Sequence, residues 1–302
     1  MKQADAILSA DWHIRDTIPE CRSDDFLTAQ YDKFEFLSEL QILHNCPVLV
    51  AGDVYDYWKP TPELLSWSFD MIPSNTYTIP GNHDLQAHSL KNIGRSGAHA
   101  LAAGRGLQLF SKGHGLRKCY KNLQMFGFPF GVKLRPCKPD SKWFRIAIVH
   151  KFIYKGKEPF PGAAEVGSTA KTLLKKMSGY DLILTGDNHQ TFTATLDDAL
   201  LVNPGSFMRT TATQIDHKPC VFLWYAAENR VEKVFLPAKE GVITREHLDV
   251  VNERKERESV FIEKLNSDVE LSHSFTQNMK GYLSANHVDE SVKEMIWESM
   301  DA

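Results

Sequence analysis

The sequence predicts an α/β fold: a four-layer α/β/β/α sandwich of two mixed sheets, with a C-terminal helical extension. Three observations predict it. Short apolar runs alternate with amphipathic segments through the first 80 residues, which implies parallel strands joined by right-handed crossovers. Four later segments alternate with a period of two and short turns, which implies antiparallel strands. From about Gly241 the pattern turns to charge-rich helical spacing. The expected division is therefore 1–240 for the sandwich and 241–302 for the helical extension.

Ala6–Ser9 reads as the first strand. Ser23 can cap the helix that follows, and Leu27, Tyr31, Phe34 and Leu37 are spaced to share one helical face. Pro47–Ala51 is a second, buried strand. Thr61 and Pro62 open a helix with Leu64, Leu65 and Phe69 as its apolar positions, and Tyr77–Pro80 closes a third strand. Leu116–Phe130, with Gly127 and Pro129 among aromatics, reads as hairpins and loops. Arg145–Val149 is a strand, Ala163–Met177 a helix and Leu182–Thr185 a strand. The period-two segments are Gln190–Thr195, Ala199–Asn203, Cys220–Tyr225 and Arg230–Phe235. Helical patterns close the chain over His247–Leu265 and Ser291–Met300.

The 302 residues can bury a sizeable core, and 42% hydrophobic with 24% charged residues is ordinary for a soluble globular protein. No apolar run reaches the roughly 18 residues of a membrane span, so no membrane partner is expected, and the N-terminal apolar stretch lacks a signal-peptide cleavage site. The five cysteines are odd in number and not closely spaced, which argues against a disulfide framework or a zinc knuckle and makes cytoplasm the expected compartment. The net charge of −3 hides an asymmetry. Residues 111–145 hold nine Lys/Arg against Asp140 alone, a net of +8, whereas residues 240–302 hold seven Lys/Arg against fourteen acids, a net of −7.

Five clusters carry metal-competent groups: Asp11-Trp12-His13, Gly52-Asp53-Val54-Tyr55-Asp56, Gly81-Asn82-His83-Asp84, His150, and Gly186-Asp187-Asn188-His189. Each directly follows an apolar strand, and the carboxyl ends of α/β strands are where ligands collect. Taken singly each has an ordinary explanation as turn chemistry, a helix cap or a packed histidine. Their recurrence at successive strand ends is what points to metal. Carboxylates, neutral imidazoles and a carboxamide can hold two divalent ions about 3.5–4 Å apart. Such a pair activates a water and clamps both oxygens of a phosphoryl displacement.

These motifs resemble the calcineurin-like metallophosphoesterases, over about Lys2 to Phe235. The early motif spacing, Lys59-Pro60-Thr61-Pro62 and Val202-Asn203-Pro204-Gly205-Ser206 make the chain most similar to SbcD-type nucleases. The resemblance implies a metal-dependent phosphodiesterase acting on DNA. Asp11, His13 and His189 would hold one metal, Asn82 and His150 the other, and Asp53 would bridge them. His83 would protonate the leaving oxygen, Asp84 would orient His83, and Asp56 would fix a ligand from behind. The family has Gly-His-x-His where this chain has Gly186-Asp187-Asn188-His189. Asp187 as a ligand would leave the two dications with a net +1, and an oxygen-rich set favours Mn²⁺, with Mg²⁺ or another divalent ion as the alternative. A small-nucleotide or phosphoprotein phosphoesterase, or a degenerate-site binding subunit, are the alternative functions.

The basic segment 111–145 interleaves six aromatics and reads either as a hairpin with core rings or as a wall that tracks DNA phosphates. His88, Lys133, Arg135 and Arg209 are the candidate substrate contacts. Trp12 reads as core. The resemblance further implies an SbcC-type ATPase partner engaged through the C-terminal helices, with Val292, Met295, Ile296 and Met300 as a helix-in-groove anchor. A homodimer is also allowed.

Overall fold

The computed structural model describes residues 2–111, 117–138, 142–156, 167–246, 259, 275–286 and 288–300. The chain divides into two units, Met1–Thr244 and Arg245–Ala302. The expected helix over His247–Leu265, apart from Ser259, and residues 163–166 of the expected helix Ala163–Met177 lie outside the described residues.

The first sheet has the order β14-β13-β1-β2-β3-β4. Its strands are β1 (Ala6–Ser9), β2 (Val48–Val50), β3 (Thr76–Thr78), β4 (Gln108–Leu109), β13 (Cys220–Tyr225) and β14 (Arg230–Phe235). β1 to β4 run parallel, and β13 pairs antiparallel with both β1 and β14. The second sheet has the order β11-β12-β10-β7-β6-β5. It comprises β5 (Arg117–Tyr120), β6 (Leu123–Phe128), β7 (Phe144–His150), β10 (Leu182–Gly186), β11 (Phe192–Leu196) and β12 (Ala199–Asn203). Its interior strands β6, β7, β10 and β12 are parallel, with antiparallel hairpins at both edges. A two-stranded ribbon, β8 (Ile153–Tyr154) with β9 (Ser168–Thr169), follows β7.

Strand periodicity sorts the side chains into layers. Ala6, Leu8 and Leu49 face Ile146, Ile148, Leu182, Leu184 and Val202 between the sheets. Their neighbours Ile7, Val48 and Val50 face the other way, onto Phe34, Leu37, Leu64 and Leu101. On the far side Ala147, Val149, Ile183 and Leu201 pack against Leu173 and Leu174 of α4 (Ala170–Lys176). Each fully buried large side chain contributes about 1.5–3 kcal/mol. The result is the four-layer arrangement of two mixed sheets between helices.

Helix α1 spans Phe26–His44, and its cap is Asp25, whose carboxylate accepts from the Thr28 N–H, rather than Ser23. The Ser23 N–H and hydroxyl instead donate to the Val242 carbonyl. The buried face is also rotated from the expected one. Phe26, Gln30, Lys33, Phe34, Leu37, Gln41 and His44 are buried, whereas Leu27 and Tyr31 are exposed. Gln30 is the reason. Its amide accepts from the Arg15 N–H at 3.1 Å and donates to the Arg15 carbonyl at 2.8 Å, clamping the loop after β1 to the helix. A polar residue thus occupies the buried position that an apolar count assigns to its neighbour. α2 (Pro62–Met71) begins as expected, its cap Thr61 accepting from the Leu64 N–H. A short helix α3 spans Gly97–Ala103.

In the second unit helices span Phe275–Ala285 and Glu290–Met300. Among the described residues no helix is long and apolar enough to cross a membrane.

Candidate metal centre

The loops that leave β1 and β2 are stitched together: the Asp11 N–H donates to the Gly52 carbonyl and the His13 N–H to the Asp53 carbonyl. Four site residues adopt left-handed backbone, Asp11 (φ 48°), His13 (φ 46°), Asp53 (φ 51°) and Asp187 (φ 74°). Such conformations cost of order 1–3 kcal/mol each for non-glycine residues and gather where function requires a particular side-chain direction. Two glycines make the close approach. A Cβ on Gly52 would strike the His150 ring, and one on Gly81 would strike the Asp53 carboxylate.

The strand ends bring the expected ligands together. Asp11, His13 and His189 form one group with ligand atoms within 4.8 Å of one another; Asp11, Asp53 and His150 form a second; His13, Asp53 and His83 form a third. His13 Nε2 and His189 Nε2 face each other at 3.1 Å. Asp53 Oδ2 lies 3.8 Å from His13 Nε2 and 3.3 Å from His150 Nε2, so one carboxylate addresses both halves of the site.

Hydrogen bonds fix the tautomers. His150 Nδ1 lies 2.6 Å from the Ala51 carbonyl. A carbonyl only accepts, so Nδ1 carries the proton and the neutral ring presents the Nε2 lone pair. That atom stands 2.8 Å from Asn82 Oδ1 and 3.3 Å from Asp53 Oδ2. With the ring neutral three lone-pair atoms converge on one buried point, so either a proton on Nε2 or a cation must stand among them. His83 Nδ1 likewise donates to the Asp56 carbonyl at 2.8 Å, which leaves Nε2 outside that bond on a half-buried ring.

The protonation equilibria report the same crowding. Burial raises the Asp11 carboxyl to about 7; His150 opposes the rise, Asp53 adds to it and His13 opposes it. Burial acts on Asp53 too, but the charge of His150, a hydrogen bond with it, and the charges of His13 and His83 hold its carboxyl well below the usual range. Burial alone would lower His150, yet Asp53, Asp11 and Asp187 prevail and hold it at about 10. His189 goes the other way: burial drives it down to about 3, and His13 reinforces the fall. Where the acids stand, a proton substitutes for a cation; of the two facing imidazoles His189 gives its proton up, while His13, though burial opposes it, is held above the ordinary imidazole value by Asp56, Asp53 and Asp11. His13 Nδ1 is buried without a hydrogen-bond partner, though Asp56 Oδ1 stands 3.4 Å away. Nitrogen and oxygen donors in these positions fit divalent ions.

Several expected placements differ. Asp84 does not orient His83. It is fully buried, and its oxygens accept from the N–H groups of Val54 (3.2 Å), Tyr55 (3.1 Å) and Gly81 (3.0 Å), so it ties two ligand loops together. The Asp56 carbonyl takes that orienting place, and the Asp56 carboxylate pairs with Arg15 at 3.0 Å. The Asp187 carboxylate falls outside the three ligand groups, which are drawn from the described residues. Its N–H donates to both Asp11 oxygens, at 3.0 and 3.2 Å. His88 is exposed, with Nδ1 donating to the Asn82 carbonyl at 3.0 Å and its ring 6.3 Å from Phe130. Lys133 and Arg135 are exposed on either side of buried Leu134, and Arg135 acts on Tyr180 in the outer layer. Arg209 is buried and donates to the Lys239 carbonyl.

The rings of the basic segment are mostly core. Phe128 is buried, Phe126 packs on Tyr180 and Phe144 on Trp224, while Phe130 reaches the site, 6.4 Å from the His150 ring. Residues 112–116 and 139–141 of that segment lie outside the described residues. Trp12 is core, packed on Phe34 and Phe207. Sequence reasoning missed Asn188 and Asn203 as props of the His189 loop. Asn188 donates to the Ile153 carbonyl (2.6 Å), and Asn203 donates to the carbonyls of Asn188 and Gln190 (both 2.6 Å). The Val202–Ser206 motif held that signal without revealing its bonds.

A search among curated proteins finds no match. Solved structures with similar folds include an archaeal phosphodiesterase, 13% identical at a TM-score of 0.40, the alignment covering 76% of this chain and 99% of that one. Another is a hypothetical protein of Pyrococcus horikoshii, 15% identical at a TM-score of 0.40, with coverage of 84% and 94%. The family model for calcineurin-like phosphoesterases matches residues 7–191, which carry all five motif clusters, and the chain belongs to that family of metal-dependent phosphoesterases.

Proposed function

We propose that the chain is a divalent-metal phosphodiesterase acting on DNA, an SbcD-like nuclease. The observation that carries the metal-dependent part is the meeting of His150 Nε2, Asn82 Oδ1 and Asp53 Oδ2 beside the facing His13 and His189 nitrogens. Asp11, His13 and His189 would hold one ion, Asn82 and His150 a second, with Asp53 between. Bound ions would polarise the phosphoryl oxygens and lower the pKa of water. The rest belongs to the chain's own groups. The Asp56 carbonyl aims the His83 ring by accepting from Nδ1–H, and His83 in its imidazolium form hands the second proton, on Nε2, to the leaving oxygen and is left neutral, a contribution typically worth 10²–10⁴-fold. Asp84 keeps the Asp53 and Asn82 loops in register. The Asp187 N–H holds the Asp11 carboxylate in place, so Asp187 acts through its backbone. With Asp187 outside the set, three imidazoles and three oxygen donors remain, a mixed set that suits Mn²⁺.

The DNA substrate is supported by the Lys59–Pro62 and Val202–Ser206 motifs. The second of these shoulders the site: the Ser206 N–H donates to the His189 carbonyl. An ATPase partner would use the helix Glu290–Met300, on which Val292 and Met295 are exposed. The test is a digestion panel with Mn²⁺, linear duplex, single strand and bis-p-nitrophenyl phosphate. Metal-dependent cleavage of DNA supports the proposal. Cleavage of the small diester alone transfers the activity to small substrates, and no turnover despite bound metal makes the chain a binding subunit.

A further inference from the structure

The loop after Ser206 is built outward from the metal edge. Gln214 Nε2 donates to the Ser206 hydroxyl at 2.6 Å, while its Oε1 accepts from the N–H groups of Thr210 (2.7 Å) and Thr211 (3.1 Å). His217 Nε2 donates to the Ser206 carbonyl at 2.8 Å. With the Ser206 N–H on the His189 carbonyl, an unbroken run of hydrogen bonds links a candidate ligand to segment 210–217.

That segment walls a cleft of about 720 Å³ that starts at His189 and is also lined by Lys218, Lys233 and Phe235. A second hollow of about 530 Å³ shares His217, Lys218 and Phe235 with it and continues to Arg209 and Lys239. Along the joined groove three exposed cations, Lys218, Lys233 and Lys239, stand against two acids, Asp216 and Glu240, with buried Arg209 in its wall. Lys218 and Lys233 are exposed and form no ion pair among the described residues. Phe235 is 56% exposed, with Lys233 Nζ over one side of its ring, 5.8 Å from the centre. A single phosphate needs no such extension. Cations beside an exposed ring suit a chain of phosphates bearing bases.

We propose that this groove carries the strand that runs on from the scissile phosphate. Lys218 and Lys233 neutralise its next phosphates, and one base stacks on Phe235. The inference rests on the nuclease reading and assigns it an extended oligonucleotide strand.

The test is fluorescence anisotropy of a labelled single-stranded oligonucleotide of about 12 nucleotides, with the full chain in EDTA, across a salt series. Cleavage of the same strand and of bis-p-nitrophenyl phosphate in Mn²⁺ is followed in parallel. Lys218→Gln with Lys233→Gln is expected to weaken binding about tenfold and to make the slope of log affinity against log salt shallower by about 1.4. KM for the strand rises, and turnover of the small diester stays unchanged. Lys218→Arg with Lys233→Arg keeps both affinity and slope. Phe235→Ala weakens binding about tenfold at every salt concentration without altering the slope. Cleavage of the strand by the wild-type chain, with affinity and slope indifferent to the glutamine pair, overturns the groove and leaves the nuclease reading standing. Turnover of the small diester by a wild-type chain that neither binds nor cleaves the strand overturns both.

Discussion

Two regions bury ionisable side chains among apolar layers, and they do so in opposite ways. Beside α1 the cations Arg22, Lys33 and Arg209 are buried together. That cluster closes on itself. Arg22 makes two 2.7 Å hydrogen bonds to Asp24, reaches the Arg209 carbonyl and lies over the Phe26 ring, while Arg209 donates to the Lys239 carbonyl. Lys33 bears the cost: burial, with Arg22 and Arg209 adding repulsion, pushes its ammonium down to about 8. At the edge of the two sheets acceptors converge instead, and the chain supplies only protons to satisfy them. A buried cluster that its own partners complete is architecture. A cluster of lone pairs that no side chain of the protein completes is a candidate site.

The largest expected effect breaks the acceptor cluster at its centre. Asp53→Asn should lower kcat on bis-p-nitrophenyl phosphate by about a thousandfold while circular dichroism stays native. An active variant would remove Asp53 from its place between the two halves. His83→Ala should cost 10²–10⁴-fold on DNA, and much less on bis-p-nitrophenyl phosphate, whose leaving group departs without a proton. Equal losses on both substrates would mean that His83 is not the acid. Asp56→Ala removes the carboxylate beside His13 but keeps the carbonyl that aims His83, so metal affinity should fall about 10–100-fold with the His83 contribution intact.

The smallest effect concerns the cationic cluster. Lys33 titrates near 8 when folded, against 10.5 when free. Between those values the unfolded chain holds more protons than the folded one, so the Lys33 contribution to stability rises with pH over that window. It amounts to about 3 kcal/mol at most, and below pH 8 the burial penalty is constant. Lys33→Met should therefore raise the urea midpoint at pH 7, and its advantage over the wild-type chain should shrink by pH 10. An unchanged midpoint at pH 7 would show that the ammonium is not penalised.

Where a signal was local, the sequence already showed it. Ala6–Ser9 was legible as a strand from its short apolar run, whereas which of Ile7 and Leu8 faces which layer was not, because both are apolar and only the folded sheets distinguish their two sides. The candidate ligand positions stood out because each follows a strand whose direction the fold class fixes. Asp84 was misread because neighbouring in sequence to His83 does not make it a neighbour of the ring; its carboxylate turns back to backbone N–H groups that only the folded loops present. The cap of α1 moved from Ser23 to Asp25 because Val242, more than 200 residues away in sequence, occupies the serine. The groove wall was invisible for the same reason: Gln214, Ser206 and His189 meet through turns with no periodic pattern.

A calorimetric titration of the metal-free chain with Mn²⁺, alongside Asp53→Asn, bears most directly on the site. Two ions per wild-type chain are expected, with both weakened when the shared carboxylate is gone. A wild-type chain that takes up no ion, or a variant that binds with unchanged stoichiometry and affinity, would contradict the assignment of these strand ends as a paired metal centre.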